Sequence, residues 1–260
     1  MALRGGVGEG IDAWLFDLDG VLTDTARVHA AAWKETFDEV LRRRAGTGPF
    51  VPFDVHADYE RYVDGKPRYD GVRDFLASRA IELPEGRRDD PPERDSVCGV
   101  GNRKNELVLE RLGRGEVTAF PGSVALVEDL RRTGVRTAVV SASENCVPVL
   151  RSAAIEGLFD VVVDGRVAAA RHLAGKPAPD SFLAAAADLG VAAGRAAVVE
   201  DALAGVEAGR AGGFGRVVGV ARQVDPRTLA EAGADVVVAD LSELLVPEED
   251  HGSAVRDEGP

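Results

Sequence analysis

The chain has 260 residues, 45% of them hydrophobic, enough to bury a core in one large domain or two unequal ones. A formal net charge of −13 argues against a nucleic-acid partner, because a backbone-binding surface needs a basic excess; a local cationic site for a small anion stays open. No apolar run approaches a membrane span, and Cys98 and Cys146 are far apart in no metal-binding spacing, as in a cytoplasmic protein with reduced thiols.

In chain order, MALRGGVGEG lacks the apolar core of a signal peptide and reads as a flexible lead-in. Ala13 to Asp24, AWLFDLDGVLTD, then organises the rest. Trp14-Leu15-Phe16 is the apolar run of a buried strand. Asp17 and Asp19 are two apart, so on a strand both carboxylates project to one face, and Gly20 permits a sharp turn. Adjacent carboxylates repel unless a cation such as Mg²⁺ neutralises them or one keeps its proton. A lone Asp-x-Asp is more often a solvated turn, so the later segments decide.

Thr25 is placed to cap a helix from about Ala26 to Arg44. Helical stretches follow at Ala57–Tyr62, Tyr69–Arg79 and Asn102–Leu112, separated by Gly-, Pro- or charge-rich links. Residues 26–115 thus read as a helical cap inserted into a core made of 1–25 and 116–260. From Phe120 strand and helix alternate. Helices are expected at Pro121–Arg132, Asn145–Ala154, Asp180–Leu189 and Ala204–Ala211, and strands at Thr137–Val140, Val161–Val163, Ala196–Val199, Val217–Val220 and Val236–Val238. The pattern is that of an α/β fold, a doubly wound parallel sheet of Rossmann-like type. The charged end, Pro247 to Pro260, reads as frayed.

Ligands of such sheets bind beyond the carboxyl ends of the strands. Those ends carry Asp17 and Asp19, then Ser141, then Glu200-Asp201, with Lys176 just before a helix. The set suits phosphoryl transfer: Asp17 as nucleophile, Asp19 as general acid/base, and Ser141 and Lys176 on the transferring phosphoryl oxygens. Asp17, the Asp19 backbone carbonyl, Glu200 and Asp201 are candidate oxygen ligands for Mg²⁺. Taken singly, Ser141 reads as a helix cap, Lys176 as a surface lysine and Glu200-Asp201 as an acidic helix start.

Four segments in order, DLDGVLTDT, VVSAS, GKPAPD and VVEDALAG, resemble the motifs of the haloacid dehalogenase superfamily, and the helical insertion lies where its cap is expected. DLDGVLTDTARVHAAAWK, YVDGKPRYDGVRDFL, RKNE, SASEN and KPAPD further resemble the beta-phosphoglucomutase subfamily. That resemblance implies interconversion of beta-glucose 1-phosphate and glucose 6-phosphate through a bisphosphate, hence a second anion pocket. It assigns the distal phosphate to Arg68, Ser143 and Asn145, coupling of the acid/base to cap closure to His29 and Lys104, and a hinge to Thr25. Arg68 suits bidentate phosphate binding, and Ser143 and Asn145 fall at a helix start.

Two positions depart from the subfamily pattern: Glu144 stands where a basic residue is common, and Ala202 where a hydroxyl is common. Glu144 opposes anion binding unless it points outward. The alternative is a phosphatase on a small sugar phosphate using the same aspartates, and, further off, a non-catalytic ligand-binding protein. A monomer acting on a small-molecule sugar phosphate, with no membrane or nucleic-acid partner, is expected.

Overall fold

The computed structural model describes residues 3–114 and 117–246, so the charged end from Pro247 lies outside the described residues. Six strands form one parallel sheet in the order β3-β2-β1-β4-β5-β6: β1 Ala13–Phe16, β2 Arg136–Val140, β3 Val161–Val163, β4 Ala196–Glu200, β5 Arg216–Val220 and β6 Val236–Val238. The chain builds outward on one side of β1 and then returns to the other side with β4. That reversal puts the crevice at the carboxyl end of β1, between β2 and β4.

The central strands are apolar because both faces are covered. Side chains alternate between the two layers. Trp14 and Phe16 of β1 join Val139, Val199, Leu126 of α4 (Pro121–Arg132) and Leu150 of α5 (Cys146–Ser152). Ala13 and Leu15 face the opposite layer, with Val198, Phe182 of α7 (Asp180–Asp188) and Ala208 of α8 (Leu203–Ala211). The expected flexible lead-in is corrected at Val7, which is buried in the first layer, as is Ile11 just after it. Two short helices escaped the sequence reading: α6 Gly165–Ala170, capped by Asp164, and α9 Pro226–Ala232, capped by Asp225. Each is too short to show a clear apolar period.

Between β1 and α4 lie α1 Ala26–Ala45, α2 Arg68–Ser78 and α3 Val97–Gly113, with a π-type turn at Tyr59–Val63 in place of the expected helix at 57–62. Helix α3 starts five residues before the expected Asn102, capped by Ser96, whose Oγ accepts from Gly99 N at 3.0 Å. Gly99 and Gly101 disguised that first turn. Both are required for packing: a Cβ on Gly99 would strike the Arg94 carbonyl, and one on Gly101 would lie 2.7 Å from the Tyr69 ring.

These helices have their own apolar cluster, centred on Phe37. Its ring centroid lies 4.0 Å from Phe75, 4.9 Å from Trp33 and 5.2 Å from Phe53. Truncation there leaves a cavity that neighbouring rings cannot collapse to fill. Phe37→Ala is expected to cost about 3–5 kcal/mol, read from urea unfolding.

Candidate active site

Asp17 follows β1 directly, and its N–H still bonds the Val199 carbonyl at 2.9 Å, carrying the ladder with β4 one residue past the strand. Asp19 lies in the turn beyond, so strand periodicity is not what aligns the pair. Asp17 Oδ2 accepts from Asp19 N at 2.8 Å, and Asp17 Oδ1 accepts from Lys176 Nζ at 2.5 Å. The Asp19 side chain turns instead toward α1: its Oδ1 accepts from Thr25 Oγ1 and lies 3.7 Å from His29 Nε2. This corrects the expected capping role of Thr25, whose hydroxyl makes no cap hydrogen bond.

Lys176 also donates to Glu200 Oε1 at 2.5 Å. Oε2 of Glu200 accepts from the N–H groups of Asp201 and Ala202, at 2.9 and 3.0 Å, at the start of α8. One oxygen each from Asp17, Glu200 and Asp201 lies within 4.8 Å of the others, and all three residues are buried. Burial, and then mutual repulsion among the carboxylates, raises the proton affinity of Asp17 and of Asp201. Burial alone would strip Lys176 of its proton, but Asp17 and Glu200 outweigh it and the ammonium is held. Three carboxylates around one ammonium leave negative charge uncompensated. With oxygen donors throughout, the cluster fits a hard divalent cation.

Two glycines make room for these carboxylates. Gly20 has φ +93°, and a Cβ on it would overlap Asp201 Oδ2; a Cβ on Gly205 would overlap the Glu200 carboxylate. Ser141 follows β2, and its Oγ accepts from Ser143 N at 3.1 Å, which leaves the hydroxyl proton free.

A cavity of about 420 Å3 joins this cluster to the helical segment. The segment rests on the sheet at defined points. The Pro67 ring sits where a Cβ on Gly175 would be, and Gly65 faces Lys176 and Ala202. Arg68 Nη2 donates to Glu144 Oε2 at 3.0 Å, and Asn145 Nδ2 donates to Asn105 Oδ1 at 2.8 Å. Glu144 therefore does not point outward. Ser143 Oγ accepts from Asn145 N at 3.1 Å. Helix α5 begins only at Cys146, with Asn145 as its uncapped first flank.

On the far wall, Lys104 Nζ lies 2.9 Å from His29 Nδ1 and 4.9 Å from the Trp33 ring centroid. Burial lowers the Lys104 ammonium to about 7, and burial followed by the Lys104 charge lowers His29 to about 4. His29 is thus neutral near pH 7, and its buried Nε2, facing Asp19, lacks a hydrogen-bond partner among the described residues.

Every candidate site residue named from the sequence lines this cavity except Thr25, which touches it through Asp19. Sequence reasoning missed Asp64, Tyr59 and Arg88. Asp64 sits at the end of the π-type turn; burial and then the nearby Glu200 raise its carboxyl to about 7. Its place in VDGKPR, next to the glycine of a tight loop, was the available signal. Cys146 is buried, and burial pushes its thiol well up, as for an inert packing group.

The haloacid dehalogenase-like hydrolase family profile matches residues 11–213. A beta-phosphoglucomutase of Mycobacterium tuberculosis is 52% identical over 245 residues, covering 92% of this chain and 94% of the relative. Hexitol phosphatase A of Escherichia coli is 30% identical, covering 93% of this chain and 97% of its own. The crystal structure of a beta-phosphoglucomutase from Clostridium difficile superposes with TM-score 0.71 at 26% identity, covering 90% of this chain and 93% of that one. The chain belongs to the haloacid dehalogenase superfamily. Within it, the chain falls in the beta-phosphoglucomutase-like subfamily and is an enzyme, a phosphotransferase or a phosphatase.

Two outcomes follow from this geometry. Gly205→Ala should displace the Glu200 carboxylate and release Lys176, lowering turnover at least ~100-fold and costing about 1–3 kcal/mol in denaturant unfolding. Lys104 carries fewer protons folded than unfolded between its buried value of about 7 and its ordinary 10.5, so its cost to stability is full below pH 7 and fades as pH rises. Lys104→Met should therefore raise the melting temperature at pH 7 by roughly 2–4 °C or more. The gain should shrink between pH 7 and 10 in a melting series, while turnover falls.

Proposed function

We propose that this enzyme is a Mg²⁺-dependent beta-phosphoglucomutase working through an aspartyl phosphate on Asp17. The observation that carries the reading is a single cavity with a nucleophile-and-ammonium cluster at one end and an arginine-bearing pocket at the other. Residues 26–115 act as a cap that opens for exchange and closes for transfer on the core formed by 1–25 and 116–260.

In the forward step a carboxylate oxygen of Asp17 attacks phosphorus, and the bond from phosphorus to the leaving sugar oxygen breaks. Asp19 gives its proton to that oxygen. In the return step a bound monophosphate gives the proton of its free hydroxyl to Asp19, and that oxygen attacks the phosphoryl group, freeing Asp17 and forming the bisphosphate. Lys176 and the free hydroxyl proton of Ser141 hold the equatorial phosphoryl oxygens. Thr25 and His29 keep the Asp19 side chain turned toward the cap, so its proton transfer depends on cap position, and Lys104 fixes the neutral His29 ring through Nδ1. Arg68, Ser143 and Asn145 grip the distal phosphate.

Mg²⁺ on Asp17, the Asp19 carbonyl, Glu200 and Asp201 would supply the positive charge that phosphoryl oxygens require. A phosphatase is the second reading, favoured by the hexitol phosphatase likeness and by the carboxylate of Glu144 in the distal pocket. There water replaces the sugar hydroxyl, and Asp19 takes its proton.

The test supplies beta-glucose 1-phosphate, Mg²⁺ and a trace of glucose 1,6-bisphosphate. Glucose 6-phosphate without free phosphate is the expected product; free phosphate without isomerisation would select the phosphatase. Asp17→Asn should lower either activity by at least ~10⁴-fold. Chelation by EDTA should abolish turnover, and added Mg²⁺ should restore it.

A further inference from the structure

The loop Ser143-Glu144-Asn145 is where cap and core are tied, and Glu144 is its centre. Arg68 Nη2 holds one carboxylate oxygen at 3.0 Å, and Arg88 Nη1 lies 3.5 Å from the other. Both guanidinium groups also pack on the Tyr69 ring, at 4.9 and 5.3 Å from its centroid. Asn102 fixes the arrangement. Its Oδ1 accepts from Tyr69 Oη at 2.9 Å, and its Nδ2 donates to the Arg88 and Asp90 carbonyls at 3.0 and 2.8 Å. The Nε of Arg68 is buried and has no partner among the described residues. Two positioned arginines with a donor to spare thus surround a carboxylate that satisfies only part of them.

We propose that Glu144 is an internal stand-in for the distal phosphate, and that Arg88 is a second phosphate-binding arginine beside Arg68. In the free enzyme the Glu144 carboxylate draws the two arginines to the core and latches the cap. A phosphate monoester displaces it. The exchange is favourable for that ligand class alone: a phosphomonoester brings roughly −1.5 to −2 charge and three terminal oxygens, enough for both guanidinium groups and Arg68 Nε. A sugar acid brings one carboxylate and gains nothing over the resident one. Glu144 so converts a general anion pocket into one selective for phosphate, and the loss of a basic residue at 144 is answered by Arg88. The proposal rests on the two-phosphate reading for its ligand, while the latch itself is independent of it.

The test measures binding, not turnover. In an Asp17→Asn background with Mg²⁺, glucose 1,6-bisphosphate is titrated by calorimetry. Glu144→Gln should tighten binding about tenfold, and Arg88→Ala should weaken it by about tenfold. Glu144→Gln should also admit a six-carbon sugar acid as a competitor that the Glu144 protein rejects. Without any ligand, small-angle scattering should show a larger radius of gyration for Glu144→Gln than for wild type. Unchanged or weaker bisphosphate binding by Glu144→Gln, unaltered binding by Arg88→Ala, or identical scattering would overturn the proposal. Failure of the mutase reading would show differently, as absent isomerisation with the scattering difference intact.

Discussion

A single buried ammonium holds the catalytic end of this enzyme together. Lys176 bonds Asp17 at the tip of β1 and Glu200 at the tip of β4, so it spans the crevice that the strand order opens. A pair so buried is costly to desolvate and is tolerable only with every lone pair answered. Here Glu200 is answered by Lys176 and two N–H groups of the α8 start, and Asp17 by Lys176 and Asp19 N. The arrangement still carries more negative charge than positive. That imbalance fits a hard divalent cation, which the proposed function sets there to meet phosphoryl oxygens.

The helical segment between β1 and α4 completes the cavity rather than merely covering it. Its contacts are specific: the Pro67 ring on Gly175, Gly65 against Lys176, Asn105 to Asn145, and Arg68 to Glu144. Each joins a residue of the helical segment to a core segment that also carries a candidate catalytic or anion-binding group. A shift of that segment would therefore alter the environment of Asp19, Lys176 and the proposed distal pocket together. In the proposed mutase mechanism, excluding water from an acyl phosphate while admitting a sugar hydroxyl would depend on that coupling.

Much of this was legible in the sequence, for physical reasons. The strands were readable because a sheet buried on both faces needs short, continuous Val- and Ala-rich runs, and Val161–Val163 and Val236–Val238 fall where the runs do. The core cluster was readable because strand ends in a parallel sheet converge on one rim. What was hidden has no periodic signature. The first turn of α3 carries two glycines kept for packing against Arg94 and Tyr69. Arg88 lies in an irregular loop, its carbonyl held by Asn102, fourteen residues later. Asp64 ends a π-type turn, which no helical period describes. Thr25 looked like a helix cap because its type and position suit one, yet its hydroxyl goes to Asp19. The direction of Glu144 could not be read either, since it depends on a cap–core contact between residues 76 apart.

The central claim is that phosphorus passes onto Asp17. Its most direct measurement is chemical trapping: incubate the protein with Mg²⁺ and isotope-labelled glucose 1,6-bisphosphate, quench in acid, digest, and locate the label by mass spectrometry. The account predicts label on the peptide carrying Asp17, released by hydroxylamine as an acyl phosphate is. Label on a serine or histidine, or turnover with no labelled protein at any time after mixing, would contradict it.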